Sequence, residues 1–161
     1  MPPPARWTTY SLLFDVFVLG QRVHQLLSTS MKTAELRPED YAVYSVVFEE
    51  EAVSPTAMAA ELSMPLTTVV DYVRVMESRG HCRRIPNPRD GRSYLVVLTA
   101  AGLRAHREAN AQFERAYRRF VAALPHGEAP ARAHLAELLD AAERAIENLA
   151  TLRSETPVRR T

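Results

Sequence analysis

Between residues 54 and 98 the chain interrupts its helical patterning at short, regular intervals, and this rhythm constrains the fold more than any other stretch of the 161 residues. Ser54 followed by Pro55 reads as a helix start, a hydroxyl cap before a residue whose backbone dihedral is preset for the first turn. The helix it opens, through Ala57, Met58, Ala59 and Leu62, has room for about two turns before Ser63, Met64 and Pro65 restart the chain. The second helix carries Leu66, Val69, Val70, Val73 and Met76 on one face and stops at Gly80. Two short helices around a tight turn are helix-turn-helix geometry.

After Gly80 the pattern changes from helical to alternating. Cys82 to Ile85 and Ser93 to Leu98 are short β-prone runs that flank Pro86-Asn87-Pro88-Arg89-Asp90-Gly91-Arg92, so a hairpin with a proline-stiffened, arginine-bearing tip is expected. On the N-terminal side, apolar residues recur helically from Tyr10 to about Ala34, and Pro38 opens a helix dense in Tyr41, Val43, Tyr44, Val46, Val47 and Phe48 before the acidic run Glu49 to Glu51. On the C-terminal side, Thr99 caps a long helix with Leu103, His106, Asn110, Phe113, Tyr117, Phe120 and Leu124 in one row, and a break from Pro125 to Pro130 precedes a last helix through Leu135, Leu138, Ala142, Ala145, Leu149 and Leu152. The expected fold class is mainly α with a small β-hairpin wing: a winged helix-turn-helix over residues 37–98, and a helical dimerisation region formed by residues 1–36 and 99–161. The winged part cannot cover every apolar stripe on the flanking helices, and a two-fold homodimer interface removes the remainder from water.

Composition narrows the partners. With 47% apolar and 24% charged residues and a net charge of +1, the chain is neither disordered nor generally polybasic. Any nucleic-acid binding therefore has to come from local charge. Residues 1–70 hold four basic and eight acidic side chains, whereas residues 71–94 hold six basic and three acidic. On the second helix of the pair Thr67, Thr68, Asp71, Arg74, Val75 and Ser78 fall on or beside the face opposite its apolar row, free to approach a major groove. Arg83, Arg84, Arg89 and Arg92 sit in the hairpin, and an arginine at a hairpin tip suits a narrow minor groove. Asp90 is expected to pair with Arg92 and orient its guanidinium.

Four segments together resemble the multiple antibiotic resistance regulator (MarR) family of bacterial transcription factors. They are Ser54-Pro55-Thr56-Ala57-Met58-Ala59-Ala60-Glu61-Leu62, Glu77-Ser78-Arg79-Gly80-His81-Cys82-Arg83-Arg84, Asn87-Pro88-Arg89-Asp90-Gly91-Arg92 and Leu98-Thr99-Ala100-Ala101-Gly102. The resemblance covers roughly residues 10–150 and is most specific in the hairpin Asp-x-Arg followed by Leu-Thr-x-x-Gly. It implies an obligate dimer whose terminal helices form the interface and whose winged domains meet successive major grooves of a pseudo-palindromic, double-stranded operator. The DNA-binding set is then Ser54, Thr56, Pro65, Thr67, Thr68, Asp71, Tyr72, Arg74, Arg84, Arg89, Asp90 and Arg92. Asp71 departs from the family, which often carries an arginine there; a carboxylate repels phosphate but accepts from a cytosine amino group.

The expected function is a DNA-binding transcriptional repressor released by a small aromatic ligand. Phe14, His24, Tyr44, Phe48 and His106 are the candidates for lining the effector cavity, against the plainer reading of His24 and His106 as satisfied core histidines. The competing reading is a protein-interaction module whose basic hairpin binds an acidic partner, with Asp71 as its main support. No nucleophile motif, phosphate loop or acid/base pair suggests an enzyme, and the five histidines show no spacing for a metal, so neither cofactor nor metal is expected. The lone Cys82, near the start of the first wing strand, reads as a packed thiol. Neither a signal peptide nor a membrane span is read from the sequence, and the cytoplasm is the expected compartment.

Overall fold

A computed structural model describes residues 10–155. Its elements run α1 (Leu12–Ser30), α2 (Pro38–Glu50), α3 (Pro55–Glu61), α4 (Leu66–Ser78), β1 (Cys82–Pro86), β2 (Tyr94–Leu98), α5 (Ala100–Ala122) and α6 (Glu128–Glu155). The chain divides into two compact units after Ala116. The first holds α1 to β2 and most of α5, the second the end of α5 and α6.

Each boundary has a local cause. Ser11 caps α1 by accepting from the Phe14 amide at 3.3 Å, and Ser54 caps α3 by accepting from the Ala57 amide at 3.2 Å. Pro38 occupies the first turn of α2, with Glu39 and Asp40 beside it where the helix dipole favours acids. Helix α4 ends in a left-handed Gly80, φ 69°. There the His81 amide donates to the Met76 carbonyl and the Gly80 amide to that of Glu77, each at 2.9 Å, the bonding of a Schellman end.

The hairpin pairs Cys82 with Leu98, Arg84 with Val96 and Pro86 with Tyr94, antiparallel. A feature the sequence reading lacked is a third edge. Val53, just before α3, bridges Val96, exchanging backbone hydrogen bonds of 3.2 and 2.8 Å, which seats the wing against the helix pair.

The core of the winged body gathers Leu36, Val43, Tyr44, Val47, Met58, Val69, Val73, Met76 and Val96. Helix α1 is shorter than the expected span to Ala34, because residues 31–36 turn back and bury Met31 and Leu36. Leu66, expected on the inward row of α4, is 47% exposed: as the first residue of the helix it projects beyond the packed surface that Val69, Val73 and Met76 fill. On α5 the buried row is Gly102, Ala105, His106, Ala109, Gln112 and Ala116, so of the expected row His106 is buried, its other members lie beside the contact, and mostly small residues make it. Gly102 shows why: a Cβ there would run into the His81 carbonyl oxygen. Among the described residues no helix is long and apolar enough to cross a membrane.

Candidate nucleic-acid interface

Helix α4 separates its two faces cleanly. Val69, Val73 and Met76 are buried, while Thr67, Thr68, Asp71, Arg74, Val75 and Ser78 are exposed. Asp71 is not a free carboxylate, since the Arg74 guanidinium donates to it at 2.9 Å one turn away. Tyr72, expected among the DNA contacts, turns the other way: it is half-buried and lines a cavity with Glu39 and Asp40. Its position one residue from the buried Val73 accounts for this. Before α4, Thr56 and Pro65 are exposed, whereas Ser54 is half-buried with its hydroxyl committed to the α3 cap.

The wing tip is ordered by two short side chains. Asn87 accepts from the Arg89 amide and Asp90 from the Arg92 amide, each at 3.0 Å, and the Ser93 amide closes back on the Asp90 carbonyl at 3.0 Å. The expected ion pair between Asp90 and Arg92 is therefore replaced by a bond from the backbone to the carboxylate. The acid shapes the turn and leaves both guanidinium groups exposed, with no ion pair for Arg89 or Arg92 among the described residues. Arg84, expected on the same face, is exposed but already has partners within its own chain. It donates to both Glu77 carboxylate oxygens at 2.8 and 2.6 Å and lies 4.4 Å from the Tyr94 ring centroid, tying the end of α4 to the wing.

The five residues expected to line one effector cavity do not come together as a set; only Phe48 and His106 touch, ring on ring. Phe14 is exposed on α1 beside Tyr10. Tyr44 is fully buried, with its hydroxyl 2.9 Å from His81 Nδ1. His106 lies between Phe48 and Tyr41, with ring centroids 4.5 and 5.3 Å away. Phe48 opens on a cavity of about 460 Å³, and His24 on a separate one of about 830 Å³, lined also by Lys32, Glu35, Arg37, Glu39, Asp40 and Tyr72. There its Nδ1 lies 3.0 Å from Glu39. This cavity draws on α1, the 31–36 turn, α2 and α4, so no local sequence signal marks it.

Burial pushes the Cys82 thiol up to about 11, with the sulfur 3.8 Å from the Val73 carbonyl; a thiol so held is a poor nucleophile. Among the described residues, no group of three or more His, Cys, Asp or Glu side chains stands close enough to hold a metal ion.

Helix pair, recognition-type second helix and arginine-tipped hairpin define the class: a winged helix-turn-helix protein. Within it, the fold is that of the MarR-family transcriptional regulators. The PcaV transcriptional regulator of Streptomyces coelicolor, solved in complex with its natural ligand, is 26% identical with a TM-score of 0.65, over 81% of this chain and 91% of that one. The Mycobacterium tuberculosis regulator MOSR, solved with DNA, is 19% identical with a TM-score of 0.73, over 84% and 98% of the two chains. A mutant of Escherichia coli MarR, complexed with operator DNA, is 20% identical with a TM-score of 0.64, over 83% and 99%. No family model and no curated protein matches the sequence.

Proposed function

We propose that the chain is a dimeric, sequence-specific DNA-binding repressor that a small ligand releases from its operator. The observation that carries the reading is the combination of an outward row on α4, Thr67, Thr68 and Arg74, with a wing whose turn side chains hold backbone and leave Arg89 and Arg92 exposed. Backbone amides at the start of α4 favour phosphate, its side chains suit base edges, and the wing arginines suit an adjacent minor groove. Similar folds solved with DNA and with a ligand support the same assignment. A homodimer is supported by α1 and α6, neither of which has a buried residue among those described although both carry large apolar side chains.

The protein-interaction reading is the less favoured, because the Asp71 carboxylate it rests on is already paired with Arg74 on the surface of α4. The cavity beside His24 is the place for the ligand in this proposal. DNA binding is tested with a duplex from upstream of the gene: Arg92→Ala is expected to weaken binding and lower the slope of log affinity against log salt by about 1. Unchanged affinity and slope would remove Arg92 from the contacts, and no retardation of the unaltered protein at low salt would overturn the DNA-binding reading.

A further inference from the structure

Two of the carboxylates that wall the cavity reach across to the elements proposed to read DNA. Asp40 accepts from the Arg79 guanidinium at 3.3 Å, at the residue that follows α4. Glu35 Oε1 faces His81 Nε2 at 3.4 Å. The opposite ring nitrogen, Nδ1, lies 2.9 Å from the Tyr44 hydroxyl. The Tyr44 hydroxyl donates to Nδ1 in the tautomer that carries its proton on Nε2, and Glu35 is then an electrostatic neighbour of that N–H. Burial pushes the Tyr44 hydroxyl up to about 12, against the pull of Arg79, and it stays a donor at neutral pH. The chain Tyr44, His81, Glu35 is thus polar, directional and anchored at one end in the core, at the other in the cavity wall.

His81 is also where four elements join. Its amide donates to Met76 in the last turn of α4, its carbonyl accepts from the Thr99 amide at 2.9 Å after β2, and β1 begins at the next residue. Gly102 of α5 lies against that same carbonyl. The His81 backbone thus ties the end of α4 to the base of the wing and to α5, and its imidazole stands at that junction.

We propose that His81 is a positioning residue through which occupation of the Glu35 cavity reaches the recognition helix and the wing. A ligand that presents a hydrogen-bond donor to Glu35 competes with His81, frees the imidazole and loosens the α4–β1 junction. The regulatory meaning of this link rests on the ligand-responsive reading given above; the link itself is a property of the free protein.

Cys82 provides the test, being the single cysteine, buried beside His81. The rate at which it reacts with Ellman's reagent reports local opening of the junction. Glu35→Gln keeps an acceptor oxygen but removes the charge beside His81, and is expected to raise that rate by about fivefold, the scale of one modest polar interaction. Glu39→Gln, in the same cavity but paired with His24, leaves it unchanged. The charges that bear on the thiol are Glu77 and Arg84, so a change on Glu35→Gln reports movement rather than altered thiol acidity. In a His81→Gln background Glu35→Gln adds nothing further, which separates transmission through His81 from a general loosening.

Should His81→Gln not fold, Tyr44→Phe removes the inner end of the chain alone and raises the rate as well. A wild-type rate in Glu35→Gln, or an equal effect of Glu35→Gln with and without His81, overturns the link. The arm with the upstream duplex keeps the two readings apart. If the unaltered protein binds no DNA while Glu35→Gln still speeds labelling, the link stands and the regulator reading falls.

Discussion

The winged body and helix α1 carry large apolar side chains at similar density and treat them in opposite ways. In the body Val43, Val47, Met58, Val69, Val73 and Met76 are closed off from water, whereas on α1 Leu12, Leu13, Phe14, Val16, Phe17 and Leu19 are all exposed, Leu13 to 79%. Helix α6 repeats the second case with Leu135, Leu139, Ile146 and Leu149. The difference teaches that helical periodicity marks which face is apolar but not what covers it. Within the body α3, α4 and the hairpin close over one another; the apolar faces of α1 and α6 find no such cover among the described residues.

The largest expected effect tests that contrast directly. Met58 is 0% exposed, and Met58→Ala should cost about 2–5 kcal/mol through lost burial and a cavity, seen as a lower Tm at every protein concentration. Phe17 is 62% exposed. If the proposed dimer is right, Phe17→Ser acts through association, raising the concentration at which that dimer dissociates in sedimentation while leaving the single chain within about 0.5 kcal/mol of the original. A concentration-independent loss of Tm as large as that of Met58→Ala would break the comparison, because it would make α1 a part of the core.

Next in size is Gly102→Ala, which probes how tightly the body is closed. The new methyl would stand 2.9 Å from the His81 carbonyl carbon and closer still to its oxygen, and these are backbone atoms that the Thr99 amide also holds. Overpacking of this kind costs about 1–3 kcal/mol, measurable by denaturant unfolding. The same substitution at Gly20 of α1, where nothing lies within 4 Å, should be neutral or slightly stabilising for the dissociated chain.

How far the sequence revealed these features follows from the range over which each is determined. The caps at Ser54 and Thr99, the proline at the start of α2, the glycine after α4 and the hairpin are set by neighbours within a few residues, and all were legible. So was the outward row of α4, because a single helical period decides it. The Val53 edge was not, since a one-residue bridge has no pattern. Nor was the inward turn of Tyr72, or the capture of Arg84 by Glu77 seven residues away, across the junction of helix and strand. The link from Tyr44 to His81 spans 37 residues. It depends on how α2 lies against the start of the wing, and no spacing rule reaches that far. Asp90 is the instructive intermediate: its partner was expected at Arg92, and the residue is right, but at a turn the backbone amide of Arg92 is nearer than its guanidinium.

The smallest expected effect concerns the inner face of α5, where burial should register in pH rather than in packing. Ser45 donates its hydroxyl hydrogen to the Tyr41 carbonyl at 2.8 Å, so toward His106 Nε2, 3.2 Å away, it only accepts. Nε2 therefore carries the proton, and His106 Nδ1 is buried with no hydrogen-bond partner. Protonating it would place a charge between two aromatic rings; burial holds His106 below the ordinary histidine value, assisted by Arg107 and opposed by Glu49. The unfolded chain, with a histidine near 6.5, then takes up this proton before the folded one does. As pH falls below about 6.5 the unfolded state binds more protons and stability declines, until the folded group also titrates. His106→Phe keeps the stack with Phe48 and Tyr41 and removes the titration, so the decline in Tm between about pH 6.5 and 5 should be shallower than in the unaltered protein. Equal slopes would mean that the imidazole accepts its second proton without cost, and that this face of α5 is open to water in a way Val43 and Val47 are not.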